Sequence, residues 1–596
     1  MLMRAEVVDQ PAAQPVTFAD TVGLFQPTGA LHSDAAVLFV SPFGLEDMCL
    51  RKLWRITAER IAVIGLPSLR FDHPGTGDAL DGPPGFVDLD LWGKTIVAAA
   101  DALCSLSRCM RIILVGHGLG ATLALRMAGR MDAVDAVACL APVTSGRAYL
   151  RELQIWSRMV DEGLGLAEAY RITDRPAIAG HILPQGVAAD LKTLTLAEAS
   201  LPSLSQAFVA ARPERAAEAG IADALATLGA SVTRTVYVGY DAFVANPAIS
   251  RLPEALVDDL ALWLSAFAQE KTGAKSLVSA EPASCFLAGA DFSERPITFG
   301  SGLQGAFCQP TKPGSSAAVL LLGTAYDRHA GWGRSSVTLA RDLAAAGIAS
   351  LRFDGASVAD SPPRPGAPKQ VLYDDHQLID VSEALDALGT LHDGPVIVAG
   401  RCSGAYLAFR SAVAEQRIDG LIAVNPYVFE WDPTLDVDAA LQGAPRSLDD
   451  YGSRLLQGGT FKRLLRGEVD IAAALKNIVL AIAGRIWRLS LPLVGRLPGV
   501  APRRRSILNA FRTLGARNVS VDLIYSEGDV GFEHFASLFG ADGRRLRSFG
   551  DMRLTILAGA DHNLSPAFAR DAYRDALIDL AARVSAKSQA VVQEKP

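Results

Sequence analysis

Several features are missing from this 596-residue sequence, and each absence excludes a class of protein. No uncharged apolar run reaches the roughly 18 residues of a membrane-spanning helix, and the stretch from Met1 to Gln14 has no apolar signal-peptide core. Basic residues are not in excess, because the formal net charge is -7, which argues against binding nucleic acid. We therefore expect a soluble, cytoplasmic protein.

Metal-binding patterns are also missing. The seven cysteines form no CxxC pair with metal-type spacing, so we interpret all except Cys402 as reduced core or surface thiols. No other metal or cofactor motif is visible. The sequence therefore predicts neither a metal nor a cofactor.

A long internal repeat is present. The segment Pro15 to Phe18 (PVTF) returns as Pro296 to Phe299 (PITF), and Ser68 to Asp72 (SLRFD) returns unchanged as Ser350 to Asp354. The two position differences, 281 and 282, are nearly equal. This near-constant spacing indicates two copies of one domain.

Within each copy, short apolar runs alternate with segments of helical periodicity, which predicts an α/β fold. Each copy should form a doubly wound, mostly parallel sheet with a helical cap. Between the copies the sequence becomes rich in polar and small residues, which is typical of a linker. The expected boundaries are an N-terminal domain over 1–270 with a cap at about 143–233, a linker over 271–295, a C-terminal domain over 296–586 with a cap at about 427–517, and a polar tail over 587–596.

The pentapeptide from Gly400 to Gly404 (GRCSG) lies between an apolar strand and a predicted helix. This is the pattern of a nucleophile elbow, in which glycines let the strand and helix approach while the middle side chain is exposed. Cys402 is that middle residue, and the helix dipole and Arg401 both favour its thiolate. The alternative is a small buried cysteine in a fold without chemistry.

With these residues in view, both halves resemble the α/β-hydrolase superfamily, and in particular its cap-bearing, serine-aminopeptidase-like branch. The motifs SPFG at 41–44, LRFD at 69–72 and RSLDDY at 446–451 are similar to those of hydrolases associated with bacterial exopolysaccharide and exosortase operons. The resemblance implies a triad whose members follow in the order nucleophile, acid, histidine.

Two later residues complete that order in the second half. Asp529 follows a predicted strand, and His562 lies in a loop after the last strand. Glu527 or Glu533 could serve as the acid instead, Asp529 could be a turn or cap carboxylate, and His562 could be a surface loop residue. The expected oxyanion hole uses the backbone N–H of Ser403 and one from Thr324 or Ala325.

Cysteine in place of serine points to particular substrates. Because a thiolate is itself a good leaving group, it suits activated acyl groups, namely esters, thioesters and lactones, better than amides. The expected partner is thus a small-molecule acyl substrate. An alcohol acceptor in place of water would make the protein an acyltransferase in exopolysaccharide biosynthesis, and a third interpretation is a scaffold or binding protein without catalysis.

The first half cannot support the same chemistry. Its elbow, Gly116 to Gly120, carries Gly118 at the nucleophile position, and no histidine occurs between His181 and His329, where the catalytic imidazole should lie. We therefore predict that the N-terminal domain is a pseudoenzyme. His117 and Asp241 are better explained as packing residues or remnants.

The second cap is basic and apolar. Between Arg454 and Arg517 it carries thirteen lysines or arginines against two acids. This composition fits peripheral contact with an anionic membrane, a pocket for an acyl chain or anionic sugar, or a cap helix packed on its own protein with its arginines in water. The sequence leaves these alternatives open.

Overall fold

The computed structural model describes residues 11–29, 31–82, 85–196, 201–268, 285–437 and 500–593. Within these residues the chain folds into two large, mostly parallel sheets flanked by helices. We call the first sheet and its helices domain one, and the second sheet and its helices domain two. The α/β fold expected from the sequence is therefore confirmed.

Domain one contains an eight-stranded sheet in the order β1-β2-β4-β3-β5-β6-β9-β10. Its strands are β1 (Gln14–Phe18), β2 (Thr21–Gln26), β3 (Ala35–Val40), β4 (Ser68–Phe71), β5 (Arg111–His117), β6 (Val134–Leu140), β9 (Gln206–Ala211) and β10 (Ser231–Val236), and β7 (Ala177–Ile178) and β8 (His181–Ile182) form a small separate hairpin. Its helices are α1 (Leu45–Val63), α2 (Leu89–Ser107), α3 (Leu119–Ala128), α4 (Gly146–Gly163), α5 (Gln185–Leu191), α6 (Ala216–Thr227), α7 (Tyr240–Phe243) and α8 (Glu254–Ser265).

Domain two contains a nine-stranded sheet in the order β11-β12-β13-β15-β14-β16-β17-β18-β19. Its strands are β11 (Leu287–Ala288), β12 (Phe292–Phe299), β13 (Leu303–Pro310), β14 (Ala318–Leu322), β15 (Ala349–Phe353), β16 (Val396–Arg401), β17 (Ile418–Val424), β18 (Ser520–Ser526) and β19 (Met552–Leu557). Its helices are α9 (Ser335–Ala345), α10 (His376–Gly389), α11 (Ser403–Ala414), α12 (Val500–Ala516), α13 (Val530–Phe539) and α14 (Ala567–Gln593).

The two sheets share one strand order once β11 is set aside. In each sheet the first two strands form an antiparallel hairpin, and the second strand of this hairpin also pairs antiparallel with the strand of the repeated SLRFD motif. The remaining strands are parallel. Side chains of β3 alternate between the two faces, with Val37 and Phe39 packing toward α1 and α8 while Leu38 and Val40 pack toward α2 and α3. Helices thus cover both faces, which explains why the central strands are continuous apolar runs.

The predicted cap of domain one is too long. Gln206–Ala211 lies inside the predicted 143–233 segment, yet it is β9 and pairs in parallel with both β6 and β10. Its sequence QAFVAA is rich in alanine and is followed by the alanine-rich α6, so the segment resembled a helix when judged by composition. The insertion between β6 and β9 begins at α4 and ends before β9.

Three other boundaries also differ. Strands β11 and β12 begin inside the predicted linker 271–295, and α14 continues through most of the predicted polar tail 587–596. The predicted end of the first cap, at about 233, falls inside β10, which begins at Ser231. Most of the second cap, including the RSLDDY motif and the basic stretch from 454 to 499, lies outside the described residues.

A buried cluster of charged side chains joins the two domains. We call it the ionic cluster; its members are Arg51, Arg70, Asp72, Asp78, Glu294, Arg328, His329, Arg352, Asp354 and Asp360. Arg70 of β4 donates to Asp360 at 2.6 Å, and Arg352 of β15 donates to Asp78 at 3.0 Å. Because these are corresponding positions of the repeat, each domain presents the arginine of its SLRFD strand to the other domain's aspartate. The two domains are thereby joined by reciprocal contacts.

His329 should make the stability of the protein depend on pH. Burial alone would lower its pKa, but Asp78 at 2.7 Å and Asp354 at 3.1 Å raise it to about 9. The charged imidazolium therefore stabilises the fold fully below its unfolded pKa of about 6.5, and this contribution is lost as the pH rises toward 9. We expect urea unfolding to show a loss of up to about 3 kcal/mol over this range. The His329→Asn variant should lack this slope, and an equal slope in both proteins would contradict the assignment.

None of the helices in the described parts of the chain combines the length and apolarity that crossing a bilayer requires.

Candidate active site

Cys402 occupies a sharp turn between β16 and α11. Its backbone has φ 55° and ψ -120°, a left-handed conformation that is strained for a residue with a side chain. Its N–H donates to the carbonyl of Val424 at 2.9 Å, which fixes the turn against the neighbouring strand β17. The strain is therefore held by the sheet, as in a nucleophile elbow.

The two glycines of the pentapeptide allow this turn. A Cβ at Gly400 would lie 2.3 Å from the carbonyl oxygen of Gly404, and a Cβ at Gly404 would lie 2.6 Å from that of Gly323. Neither distance is sterically tolerable. This turn thus requires glycine at both positions.

Asp529 and His562 lie together at the same edge of the sheet. Asp529 caps the N-terminus of α13, where its Oδ1 accepts from the N–H of Gly531 at 2.8 Å. Its Oδ2 lies 2.6 Å from Nδ1 of His562. Because a carboxylate only accepts, Nδ1 carries the proton of this bond, which leaves Nε2 for the thiol.

The Cys402 thiol and the His562 imidazole are hydrogen-bonded and electrostatically coupled. Burial alone would raise the pKa of Cys402, but His562, Arg401 and the backbone N–H of Ser403 lower it. Burial alone would lower the pKa of His562, but Cys402 and Asp529 raise it. Both shifts favour a thiolate and imidazolium pair.

An asparagine that the sequence analysis missed connects the acid strand to the histidine loop. Asn425, at the end of β17, donates to the carbonyl of His562 and to Oγ of Ser526, each at 3.0 Å. Its Oδ1 accepts from the N–H of Ser526 at 2.7 Å. Asn425 thus fixes the spacing between the strand that precedes Asp529 and the loop of His562. Its position directly after a strand was the available signal.

Arg401 lies under the elbow rather than in solvent. It hydrogen-bonds Asn563, the neighbour of His562, and comes within 4.0 Å of the carboxylate of Asp327. Burial raises the pKa of Asp327 to about 6, and Arg401 opposes this shift. Arg401 therefore supplies positive potential beside Cys402 while tying the elbow to the histidine loop.

The residues expected to form the oxyanion hole lie next to the elbow. Oγ1 of Thr324 donates to the carbonyl of Arg401 at 3.0 Å. The N–H of Ala325, however, donates to Oγ of Ser403 at 2.7 Å, so this N–H is already engaged. The backbone N–H of Ser403 points toward the Cys402 sulfur. Of the proposed donors, Ser403 is therefore the one aimed at the reacting atom.

Aromatic side chains form a wall beside the thiol. Tyr373 interacts electrostatically with Cys402, and its pKa is raised by burial and further by this neighbour. Its ring stacks on Trp431 with centroids 4.3 Å apart and meets Tyr406 edge to face at 4.9 Å. The reacting side of the elbow is thus flanked by apolar surface.

The elbow of domain one has the same backbone but no nucleophile. Gly118 has φ 54° and ψ -122°, which match the angles of Cys402. A Cβ there would lie 2.9 Å from both carboxyl oxygens of Glu46. Glu46 accepts from the hydroxyl of Tyr240 at 2.6 Å, and burial raises its pKa to about 7, whereas burial lowers the pKa of His117 to about 3. A buried carboxyl group therefore fills the space that a nucleophile would need.

A cavity of about 700 Å³ lies between the domains and borders the end of the elbow strand. Thr324, Arg401 and Asn563 line it on the side of domain two. Leu166 and Tyr170, from the insertion of domain one, line the other side. Among the described residues, no cluster of histidine, cysteine or acidic side chains is arranged to hold a metal ion.

Comparisons with known proteins agree with this fold. Residues 37–289 match the model of a family described as the alpha/beta hydrolase family. This segment is the half whose elbow carries glycine. No curated protein matches the chain.

Solved structures with a similar fold each align with about half of the chain. An esterase from Pyrococcus furiosus is 14% identical, covers 49% of this chain and 91% of its own, and has a TM-score of 0.31. A carboxyl esterase from Bacillus coagulans is 11% identical, covers 44% and 100%, and has a TM-score of 0.33. A proline iminopeptidase-related protein from Thermus thermophilus is 18% identical, covers 43% and 98%, and has a TM-score of 0.30. Similarity this low carries no argument about substrate.

Proposed function

Because residues 37–289 match the alpha/beta hydrolase family and domain two repeats the strand order of domain one, we propose that domain two hydrolyses activated acyl groups through Cys402, His562 and Asp529. The observation that carries the proposal is the coupled group itself. A strained, elbow-mounted cysteine is hydrogen-bonded to an imidazole whose other nitrogen lies 2.6 Å from a buried carboxylate. Nucleophile, base and orienting acid are the three parts that acyl transfer requires.

The reaction follows from this order of contacts. The Cys402 sulfur attacks the carbonyl carbon, a C–S bond forms, and the carbonyl electron pair moves to oxygen, where the Ser403 N–H donates. As the intermediate collapses, the leaving group takes the proton from Nε2 of His562. Water then gives a proton to Nε2 and attacks the thioester carbonyl, releasing the carboxylic acid and restoring the thiolate and imidazolium pair.

Esters, thioesters and lactones are the proposed substrates because the attacking sulfur is a good leaving group. An amine is a poorer leaving group than the thiolate, so the tetrahedral intermediate of an amide would return to substrate. The apolar wall of Tyr373, Tyr406 and Trp431 suits the hydrocarbon part of an acyl group.

Domain one is proposed to be catalytically inactive. Gly118 has no side chain to attack a carbonyl, and Glu46 occupies the adjacent space. The rings of His117 and Tyr240, near Gly118, stack with centroids 5.9 Å apart, so these two side chains pack against each other. The basic cap and its proposed membrane contact remain predictions, because most of that segment lies outside the described residues.

The pH dependence of Cys402 alkylation tests the proposed function. With iodoacetamide between pH 5 and 9, the apparent pKa should lie well below the free-thiol value of about 8.5 and should rise toward it in His562→Ala. The matched control is His376→Ala, which removes a histidine of the same domain that contacts Asp374 rather than the thiol. p-Nitrophenyl acetate and an acyl thioester are assayed in parallel.

Reaction at an ordinary thiol rate, unaffected by His562→Ala and without Cys402-dependent turnover, would reject catalysis. The protein would then consist of two hydrolase-shaped binding domains.

A further inference from the structure

The loop over 323–330, between β14 and α9, connects the elbow of domain two to domain one. We call it the oxyanion loop because it carries Thr324 and Ala325. Its first half is fixed to the elbow by the hydrogen bonds of these two residues to the carbonyl of Arg401 and the hydroxyl of Ser403. Its position therefore bears directly on the geometry around Cys402.

The second half of the oxyanion loop is anchored in domain one. The guanidinium of Arg328 donates to both carboxylate oxygens of Asp72, at 2.8 and 2.9 Å, and to Asp78 at 2.9 Å. Nε2 of His329 lies 2.7 Å from the same oxygen of Asp78. Lys52 of α1 also lies over the ring of Tyr326, 5.6 Å from its centroid. Three residues of the loop, Tyr326, Arg328 and His329, thus contact domain one.

Domain one is shaped to receive Arg328. Gly77 has φ +48°, and a Cβ at this position would lie 2.5 Å from Nη1 of Arg328 and 2.3 Å from Oδ2 of Asp72. The side chains of Asp72, Asp78 and Arg328 are 1%, 4% and 6% exposed. A buried bidentate pair of this kind has little freedom to shift.

We propose that domain one serves as the positioning element for the oxyanion loop of domain two, with Asp72 and Asp78 as positioning residues. This inference rests on the proposed function. The loop is hydrogen-bonded to the hydroxyl of Ser403, whose backbone N–H is the proposed oxyanion donor. Such a donor must be held in place before the reaction, and a displacement of about 1 Å can lower a rate by about 100-fold. Domain one would thus be required for catalysis without touching the substrate.

Two variants that weaken the anchor by different means test the proposal. Asp78→Asn removes the charge that Arg328, His329 and Arg352 share. Arg328→Lys keeps the positive charge but removes the bidentate fork. Asp81→Asn is the matched control, because Asp81 also pairs across the interface, with Arg334, but is 68% exposed and lies outside the anchor. Thermal unfolding and near-UV circular dichroism establish that each full-length variant is folded.

The readouts separate positioning from general support. In both anchor variants the burst of p-nitrophenol from p-nitrophenyl acetate should slow by about 10- to 100-fold, while KM changes by less than about threefold. The rate of Cys402 alkylation should stay within about twofold, because it depends on His562 rather than on the loop. Asp81→Asn should match the wild-type protein in all three measurements.

Each alternative outcome has a distinct meaning. Wild-type bursts in both folded anchor variants would overturn the positioning role and leave the proposed function intact. Alkylation that falls in parallel with the burst would also overturn it, because domain one would then support the whole site. If Asp78→Asn does not fold, Arg328→Lys decides. Absence of any Cys402-dependent burst in the wild-type protein would reject the proposed function itself, and with it this role.

Discussion

Replacing Cys402 by alanine is expected to lower kcat/KM for p-nitrophenyl acetate by about 10⁴-fold or more, to the level of the uncatalysed reaction with bound substrate. The sulfur of Cys402 is the only atom of the proposed triad that forms a covalent bond to the acyl group. Once it is removed, His562 and Asp529 keep their hydrogen bond but have no nucleophile to serve. The elbow should remain folded, because alanine keeps the Cβ atom and removes only the sulfur.

The control for this substitution is Cys308→Ala. Cys308 is a buried thiol in β13 of the same domain, far from the elbow in the sheet order, and burial raises its pKa to about 12. Cys308→Ala should retain activity within about twofold and retain iodoacetamide labelling of Cys402. Turnover that survives in Cys402→Ala but not in Cys308→Ala would contradict the proposal.

Replacing Asp360 by alanine should destabilise the protein more than any surface substitution. Asp360 is 1% exposed and accepts three hydrogen bonds, two from Arg51 and one from Arg70. Its loss leaves buried guanidinium groups without their main counter-charge. Removing one partner of a buried ion pair typically costs about 3 to 5 kcal/mol, so the free energy of unfolding in urea should fall by that amount.

An exposed ion pair gives the comparison. Asp258 pairs with Arg60, and their side chains are 63% and 44% exposed, so Asp258→Ala should cost less than about 1 kcal/mol. Equal and small effects of the two substitutions would mean that water or rearrangement compensates the buried arginines. The ionic cluster would then have little part in holding the domains together.

The sequence predicted the parts of this protein that depend on local pattern. The elbow glycines and Cys402 are adjacent in the chain, and Asp529 and His562 each follow a recognisable strand, so their place at one sheet edge could be expected. The strand β9 was missed because its sequence QAFVAA lies beside the alanine-rich α6 and has no β-branched residue except Val209.

The contacts that tie distant segments together could not be predicted. Arg328 meets Asp72 across 256 positions, and Arg51 meets Asp360 across 309. Each residue taken alone is typical of a solvated surface, and only the reciprocal packing of the two domains buries them. Asn425 was missed for a similar reason, since an amide becomes informative only when the strands it connects are known.

Gly118 in the elbow of domain one raises the number of substitutions that this domain would need to become catalytic. Restoring a cysteine or serine at Gly118 would place its Cβ 2.9 Å from the Glu46 oxygens, so Glu46 would have to change as well. Glu46 is held by Tyr240, and a histidine would still have to be introduced somewhere between His181 and His329. No single substitution therefore leads back to a working triad, and each of these changes made alone would disturb a buried contact without restoring activity.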